Sequence, residues 1–228
     1  TRFPDYIKQR AYIPKSLTYS ILRRLHDNSV NVLVPSLSMV EELERYNFKN
    51  LKVWNRGVDT ELFNPNKRNR NDNDIQLTYV GRVAIEKNIE EFLKLKGNYN
   101  KTVVGDGPEL QKYIKKYPDV NFVGLKRGKE LAEYYANADV FVFPSKTDTL
   151  GNVILEALAC GTPIAAFPVT GPKDILKDSK INTLDDRLGN SVEKALKVNR
   201  NDCREFAMKF TWEDCANEFL DSQIDSKN

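Results

Sequence analysis

The fold is decided by one stretch, Phe143-Pro-Ser-Lys-Thr-Asp-Thr-Leu-Gly-Asn-Val-Ile-Leu-Glu-Ala-Leu-Ala-Cys-Gly-Thr-Pro163. It begins with the end of an apolar run, Val140–Phe143, which is typical of a buried strand. Asp148 and Thr149 offer side-chain oxygens for a helix N-cap, and Val153–Cys160 then supplies good helix formers. Gly161, with a proline soon after it, ends that helix. The stretch therefore predicts a strand, a loop and a helix.

The loop before that helix is a candidate anion site. A helix N-terminus attracts anions because its first backbone N–H groups are unpaired and its dipole is positive there. The amides concerned are those of Thr149, Leu150, Gly151 and Asn152. Asp148 lies at the start of the helix and Glu156 about two turns later, so both border the same cleft. The two carboxylates form an acid/base pair, bind substrate hydroxyls, or serve as a helix cap and a half-buried ion pair; the spacing is compatible with all three.

Strands and helices alternate along most of the chain. Short apolar runs predict strands at Val30–Val34, Leu51–Trp54, Ile75–Val80, Thr102–Val104, Val120–Val123, Val140–Phe143 and Pro163–Phe167. Helices are predicted at Ser16–His26, from Ser36 or Ser38 to Tyr46, and at Ile89–Lys96, Glu109–Lys116, Gly128–Asn137, Val153–Cys160 and Asp174–Lys177, with two or three more after Arg187. This alternation predicts an α/β fold with a Rossmann-like parallel sheet and helices on both faces. Ligands of such sheets bind at the carboxyl ends of the strands.

A glycine-bearing loop with two cations follows the strand predicted at Ile75–Val80. Gly81 opens the loop, and Arg82 and Lys87 supply a planar fork and a point charge, which together suit a diphosphate. The alternative is that both cations are simply solvated. A second glycine pair, Gly105-Asp-Gly107, is either a tight turn or a ligand contact. It lacks the third glycine of a dinucleotide fingerprint, which argues against a nucleotide-dependent oxidoreductase.

Two further segments have open interpretations. Arg56 follows the strand predicted at Leu51–Trp54, and it faces either a ligand or an acid such as Asp59. Lys67–Asp74 contains no apolar residue, so it is predicted to be a linker or a surface loop.

Composition limits the classes of function. The chain has 228 residues, of which 40% are hydrophobic and 29% charged, as expected for a packed globular fold. The net charge of +3 allows an anionic ligand or a membrane surface, but it does not call for nucleic acid. No apolar run approaches the roughly 18 residues of a membrane span. Cys160, Cys203 and Cys215 lack metal-ligand spacing, so we expect reduced thiols, a cytoplasmic location and no metal site.

Several motifs together resemble the family 4 glycosyltransferases, which have the GT-B fold and retain stereochemistry. The resemblance is carried by Phe143–Pro163 and, in the family's order, by Trp54–Thr60 with Phe63–Pro65, Gly81–Asn88, Gly105–Glu109, Phe122–Gly124, Ala136–Asp139 and Pro168–Pro172. Arg-Gly-Val-Asp-Thr at 56–60 and Thr-Asp-Thr-Leu-Gly at 147–151 look most like the α-mannosyltransferases and glycolipid glucosyltransferases that use nucleotide sugars.

The resemblance implies roles for the matching residues. Arg82 and Lys87 would hold the donor diphosphate and stabilise the departing nucleotide, with no metal and no cofactor. Asp148 would contact the transferred sugar, at a position where the family usually has Glu. Glu156 would bind the ribose hydroxyls, while Val123 and Gly124 would lie against the base. The other implied donor-binding positions are Gly81, Thr149, Leu150, Gly151 and Asn152.

The resemblance also implies two Rossmann-like domains with the active site between them. Residues 1–55 would be a remnant of the N-terminal, acceptor-side domain and 56–210 the C-terminal, donor-binding domain, with a helix at 211–228 packing back on the first. The donor would be a GDP- or UDP-linked sugar, and the acceptor a glycan or a lipid, with peripheral membrane contact through the missing N-terminal part. The alternative is a non-catalytic or partner-dependent module that binds a nucleotide sugar.

Overall fold

The computed structural model describes residues 4, 7–8, 11–70, 74–148, 151–177 and 179–224. Its strands are β1 (Val32–Val34), β2 (Leu51–Val53), β3 (Ile75–Val80), β4 (Tyr99–Val104), β5 (Asn121–Gly124), β6 (Val140–Phe143) and β7 (Ile164–Ala166). Its helices are α1 (Lys15–His26), α2 (Leu37–Glu44), α3 (Ile89–Leu93), α4 (Leu110–Lys116), α5 (Gly128–Asn137), α6 (Asn152–Ala159), α7 (Pro172–Leu176), α8 (Leu188–Ala195), α9 (Arg200–Ala207) and α10 (Trp212–Ile224). Single 3₁₀ turns lie at Pro65–Lys67 and Ile85–Lys87.

The larger sheet has five strands in the order β5-β4-β3-β6-β7. Every neighbouring pair in it is parallel. The chain builds outward from β3 to β5 and then returns to place β6 on the other side of β3. This reversal makes the gap between β3 and β6 the topological switch point, where ligands of open α/β sheets bind.

Alternation along each strand explains why both faces of the sheet are covered. Val80, Val104 and Phe141 point to one face and pack with residues of α5, α6 and α9. Leu77 and Val103 point to the other face and pack with α3, α4 and α8. Successive side chains of a strand face opposite sides, so a sheet buried on both sides needs continuous apolar runs. The predicted α/β fold, a Rossmann-like parallel sheet with helices on both faces, is confirmed.

A smaller unit precedes the large sheet. Strands β1 and β2 are parallel to one another, and α1 and α2 contribute to a separate core of Tyr19, Val34, Met39, Leu43 and Phe48. Helix α10 contacts this unit: the indole N–H of Trp54 donates to the Cys215 carbonyl at 2.8 Å, and the rings of Trp54 and Phe219 lie 5.5 Å apart. The division at residues 55 and 211 remains a prediction.

One local prediction is wrong for a physical reason. Asp148 does not cap α6, because Gly151 is the N-cap residue and no side chain accepts a capping hydrogen bond there. In the segment predicted to be a linker or a surface loop, residues 68–70 are irregular, as expected, but Arg68 and Arg70 bind Asp139 at 2.8 and 2.9 Å. Charged residues with no apolar neighbours in sequence can still be fixed by an acid contributed from far along the chain.

Candidate active site

A cavity of about 730 Å³ lies at the switch point, between the large sheet and the small unit. The ends of β3 and β6 and the start of α6 form one side of it, through Tyr79–Arg82, Lys87, Phe143, Ser145, Asp148 and Gly151–Val153. The ends of β1 and β2 form the other side, through Leu33–Pro35, Trp54 and Arg56. Of the predicted site residues, the cavity therefore brings together Gly81, Arg82, Lys87, Asp148, Gly151 and Asn152.

The loop after β3 is held by glycine packing and by one tyrosine. The buried Tyr79 donates its hydroxyl hydrogen to the Arg82 carbonyl at 2.8 Å. A Cβ on Gly105 would lie 1.9 Å from the Gly81 carbonyl oxygen, and one on Gly107 would lie 2.3 Å from that of Val83. Gly105 and Gly107 therefore let the loop after β4 press against the loop that carries Arg82. Burial raises the pKa of Tyr79 above its ordinary range, as do the charges of Asp148 and Glu86, so the phenol stays a donor.

Lys87 and Asp148 form an ion pair inside the cavity. The Lys87 Nζ and Asp148 Oδ1 atoms lie 2.5 Å apart, with 28% and 24% of the two side chains exposed. Asn88, which follows Lys87 and has a φ of 53°, donates its side-chain amide to the Pro144 carbonyl at 3.0 Å. These contacts join the loop after β3 to the loop after β6. The chain thereby fixes a lysine and a carboxylate at the same rim of the sheet.

Arg82 and the start of α6 supply further attraction for an anion. The Arg82 guanidinium lies 3.4 Å from Glu86 and is 62% exposed, so this weak surface pair leaves it available. Gly151 has a φ of 79° and opens α6, whose first residues, Asn152 and Val153, line the cavity. Thr149 and Leu150, both predicted to bind the donor, lie outside the described residues.

Glu156, Val123 and Gly124 do not line this cavity. Glu156 is half-buried on α6 and accepts a hydrogen bond from the Tyr135 hydroxyl at 2.8 Å. Burial raises the pKa of Glu156 above its ordinary value, and the bond from Tyr135 lowers it only in part. No described cation lies within ion-pair distance of it, so the ion-pair interpretation is wrong.

Val123 and Gly124 lie at the carboxyl end of β5, at one edge of the sheet. Val123 packs on the core shared with α5 and α6. Gly124 has a φ of 72°, and its carbonyl accepts from the Gly105 amide at 2.8 Å. The donor roles implied for these two residues, and the role implied for Glu156, remain predictions.

Arg56 is a cavity residue whose role the sequence left open. Its guanidinium carbon lies 4.4 Å from the centre of the Trp54 ring. Asp59 is occupied instead with the backbone amides of Glu61 and Leu62, at 3.1 and 2.9 Å. The structure thus rejects the Arg56–Asp59 ion pair. In the sequence, Arg56 was indicated by its position just after a predicted strand and by its place in the Arg-Gly-Val-Asp-Thr motif at 56–60.

Other candidate chemistry is limited in the part of the chain that the structure describes. There, no group of three or more His, Cys, Asp or Glu residues could hold a metal ion. No described helix is long and apolar enough to cross a membrane. Cys160, Cys203 and Cys215 are free and buried, and burial raises the pKa of Cys160 and Cys203 to about 12.

Two similar proteins match most of the chain. Sulfoquinovosyl transferase SQD2 of Arabidopsis thaliana is 34% identical over 79% of the chain and 39% of its own length. A GDP-mannose-dependent alpha-mannosyltransferase of Mycobacterium tuberculosis is 34% identical over 71% of the chain and 45% of its own length. The chain thus spans less than half of the length of these relatives.

Solved structures share the fold. Sucrose-phosphate synthase from Thermosynechococcus elongatus aligns with a TM-score of 0.79 and 25% identity, over 92% of this chain and 62% of that one. Anabaena HepE, in complex with UDP and glucose, aligns with a TM-score of 0.73 and 15% identity over 92% of this chain and 67% of that one. The model of the family "Glycosyl transferases group 1" matches residues 61–209, which include the loop after β3 and all of α6. The chain belongs to the group 1 glycosyl transferases.

Proposed function

We propose that the protein transfers a hexose, mannose or glucose, from a nucleoside diphosphate sugar to a glycan or lipid acceptor, with retention of configuration and without a metal. The observation that carries this proposal is the arrangement of Arg82, Lys87 and the start of α6 around one cavity at the switch point. Cations and helix amides at one place suit a diphosphate.

The same arrangement suits the leaving group of glycosyl transfer. When the bond between the sugar carbon and the phosphate oxygen breaks, negative charge grows on the departing diphosphate. Fixed donors aimed at that charge lower the barrier, because they need no reorganisation at the moment of reaction. Arg82, Lys87 and the first amides of α6 are such donors in this proposal.

In this scheme, the carboxylates of Asp148 and Glu156 accept hydrogen bonds from hydroxyl groups of the donor. Asp148 lies in the cavity beside Lys87, where it would accept hydrogen bonds from the sugar while Lys87 turns to the phosphate. Glu156 would accept from the ribose, and the end of β5 would face the base. The nucleotide then runs along the carboxyl edge of the sheet, from β6 towards β5. The donor in this scheme is a GDP- or UDP-linked sugar.

The relatives support the substrate class. Their names specify GDP-mannose and sulfoquinovose as the donor or the transferred group, and another relative, from Streptococcus pneumoniae, is an alpha-monoglucosyldiacylglycerol synthase. A lipid acceptor would bring the protein to a membrane surface. The exposed residues Leu17, Ile21 and Leu25 recur every four positions on α1, with Arg24 beside them, which suits peripheral contact. Free thiols favour the cytoplasm.

Nucleotide binding is tested first, by thermal unfolding with UDP, GDP and their mannose and glucose conjugates. A ligand at one hundred times its Kd stabilises a folded chain by about 2.7 kcal/mol, so the melting temperature should rise by several degrees. Lys87→Ala should remove the shift, and Glu156→Ala should reduce it. Lys96→Ala, an exposed lysine outside the cavity, is the matched control. An unshifted wild-type chain at millimolar nucleotide contradicts the proposal.

Transfer itself needs a separate assay. Release of nucleoside diphosphate in the presence of glycan and lipid acceptors, with the product's anomeric configuration read by NMR, tests both activity and retention. Activity that persists in a chelator supports the metal-independent reaction, and activity abolished by the chelator contradicts it. Nucleotide binding without transfer, both in this chain and in a chain extended upstream, would favour the non-catalytic module.

A further inference from the structure

Arg56 differs from the other cations of the cavity in what surrounds it. Lys87 lies 2.5 Å from Asp148, and Arg82 lies 3.4 Å from Glu86. No acid among the described residues lies within ion-pair distance of Arg56. Its contact is with the face of Trp54, at 4.4 Å. A guanidinium stacked on an indole is oriented by the ring while its N–H groups stay available at its edge.

Arg56 also differs from Lys87 and Arg82 in its position in the cavity. It lies on the wall formed by the small unit, so it faces Arg82 and α6 across the 730 Å³ cavity. It also lines an adjoining cavity of about 500 Å³, whose other charged residues are Lys173 and Lys177 and the acids Glu41 and Asp174. Arg56 therefore lies where these two spaces meet, between the proposed diphosphate site and the rest of the cleft.

Charge balance indicates what Arg56 would bind. The diphosphate of a nucleotide sugar carries two negative charges, and Asp148 already offsets the charge of Lys87. Arg82 then supplies one available positive charge, and Arg56 is a second. Among the described residues lining the cavity, Asp148 is the only acid, so an anion is attracted there. A guanidinium fork matches two oxygens of one phosphate, which a lysine cannot do.

We propose that Arg56 is a phosphate-binding residue of the cavity, which holds a phosphate group from the wall opposite Arg82 and α6. This rests on the proposed glycosyl transfer and extends its donor site to the small unit. The phosphate belongs either to the donor diphosphate or to a phosphorylated acceptor reaching in from the adjoining cavity. The chemistry is the same in both cases, so the source is decided by experiment.

The test is calorimetric titration of the wild-type chain, Arg56→Gln and Arg56→Lys. The probes are inorganic pyrophosphate, UDP and GDP, and then glycerol 3-phosphate against glycerol with saturating UDP or GDP. Arg187→Gln is the charge-matched control, because Arg187 is exposed and lies outside both cavities. Melting temperatures of all variants establish that they are folded, and Arg56→Lys keeps the charge while losing the fork.

If Arg56 binds a phosphate of the donor, Arg56→Gln should weaken pyrophosphate and nucleotide binding about ten- to a hundredfold. The affinity of Arg56→Lys should then lie between those of Arg56→Gln and wild type. An acceptor phosphate predicts unchanged nucleotide binding and a comparable loss for glycerol 3-phosphate, but not for glycerol. Either result supports the inference, provided that Arg187→Gln behaves as wild type.

Equal affinities of wild type and folded Arg56→Gln for every phosphate overturn it. A wild-type chain that binds none of the phosphates overturns it as well. Suppose that pyrophosphate binding depends on Arg56 but the chain does not bind UDP or GDP. This result would support Arg56 as a phosphate-binding residue and would contradict the proposed nucleotide donor.

Discussion

At the scale of the residue, the contact between Lys87 and Asp148 governs the cavity. Each group offers the other the partner that a substrate would otherwise supply, at a separation of 2.5 Å. For the proposed donor, a diphosphate would have to draw the ammonium away from the carboxylate, and a sugar hydroxyl would have to reach a carboxylate that is already hydrogen-bonded. The ion pair therefore holds both side chains in place, and separating it would cost part of the donor's binding energy.

Asp148→Asn should strengthen binding of UDP or GDP while weakening transfer. The substitution removes the negative charge beside the phosphate site and releases Lys87, so the nucleotide gains roughly 1 kcal/mol, about fivefold in affinity. Calorimetry measures the first effect, and release of nucleoside diphosphate in the transfer assay measures the second. The exposed Asp186→Asn is the control. Weaker nucleotide binding in Asp148→Asn would show that the carboxylate helps to hold the donor diphosphate.

Glu156→Gln should stabilise the chain in neutral and alkaline solution. Burial raises the pKa of Glu156, so the folded state prefers the protonated acid. The contribution of Glu156 to stability is therefore full at acidic pH and is lost as the pH rises through its raised pKa. Glutamine keeps an acceptor for Tyr135 without the charge. We expect the variant's melting temperature to exceed that of wild type by a few degrees at pH 8, and to match it at pH 4.

The exposed Glu133→Gln on α5 is the control for that measurement, because its hydration changes little on folding. A constant difference between Glu156→Gln and wild type across the pH range would contradict the prediction.

The sequence predicted which residues meet in the cavity best where those residues follow the ends of strands. Arg82, Lys87 and Asp148 all follow strands of one parallel sheet, so their meeting at one rim could be read from the alternation. The separation of Glu156 from the cavity could not, because it depends on the direction in which α6 leaves the rim. Arg56 stacks on Trp54 and does not pair with Asp59. This too depends on the three-dimensional path of the turn, which local sequence patterns do not reveal.

At the scale of the element, the loops after β3 and β4 are built against each other. Gly81 donates its amide to the Val104 carbonyl at 3.0 Å, and Gly105 approaches the Gly81 carbonyl too closely for any side chain. Gly105 also has a φ of 148°, which other residues rarely adopt. The position of Arg82 therefore depends on a glycine in a neighbouring loop.

Gly105→Ala should destabilise the chain by roughly 2–4 kcal/mol, from overpacking together with backbone strain. The new methyl group would also push the Gly81 carbonyl away, so nucleotide binding should weaken in whatever fraction folds. Denaturant unfolding measures the stability. Gly189→Ala in α8, where nothing lies within 4 Å of the new Cβ, should instead stabilise by about 0.5–1 kcal/mol. Equal effects of the two substitutions would contradict the packing argument.

Most elements of the large sheet could be predicted, since buried parallel strands give continuous apolar runs and helices between them have clear ends. The bounds of α5 and β6 agree with prediction at both ends. The contacts of Arg68 and Arg70 could not be predicted, because both side chains donate hydrogen bonds to Asp139. Such contacts join residues far apart in sequence, and local patterns contain no trace of them.

At the scale of the whole molecule, the small unit is covered by the C-terminal helix. Besides the Trp54–Cys215 contact, the Glu218 carboxylate accepts from the backbone and side-chain amides of Asn55 at 2.9 and 3.0 Å. Helix α10 is thereby bonded to the residues that follow β2, near the beginning of the chain. The large sheet has two cores of its own, and no described residue of α10 belongs to either of them.

A chain ending at Phe210 should keep the large sheet folded and loosen the small unit. Removing α10 exposes Trp54 and withdraws its hydrogen bonds, whereas the residues matched by the family model remain. Limited proteolysis should then cut within residues 11–55 first. Because the truncation also removes Trp212, the emission of Trp54 is compared with that of a full-length Trp212→Phe chain, and it should lie at longer wavelength in the truncated chain. A chain ending at Ile224 keeps the whole helix and is the control. Equal protease resistance of the two chains would show that the small unit is stable by itself.

The two connections between the small unit and the large sheet lie side by side. The Val58 amide donates to the Phe210 carbonyl at 2.9 Å, and a Cβ on Gly57 would lie 2.6 Å from the Cα of Trp212. Both crossings of the chain are therefore fastened to each other at one point. The Ser38 hydroxyl, which donates to the Asp174 carboxylate, holds the small unit to the large one at a further point. Arg56 lies next to the junction of the crossings, so we expect its backbone to keep its position when the rest of the cleft adjusts to a ligand.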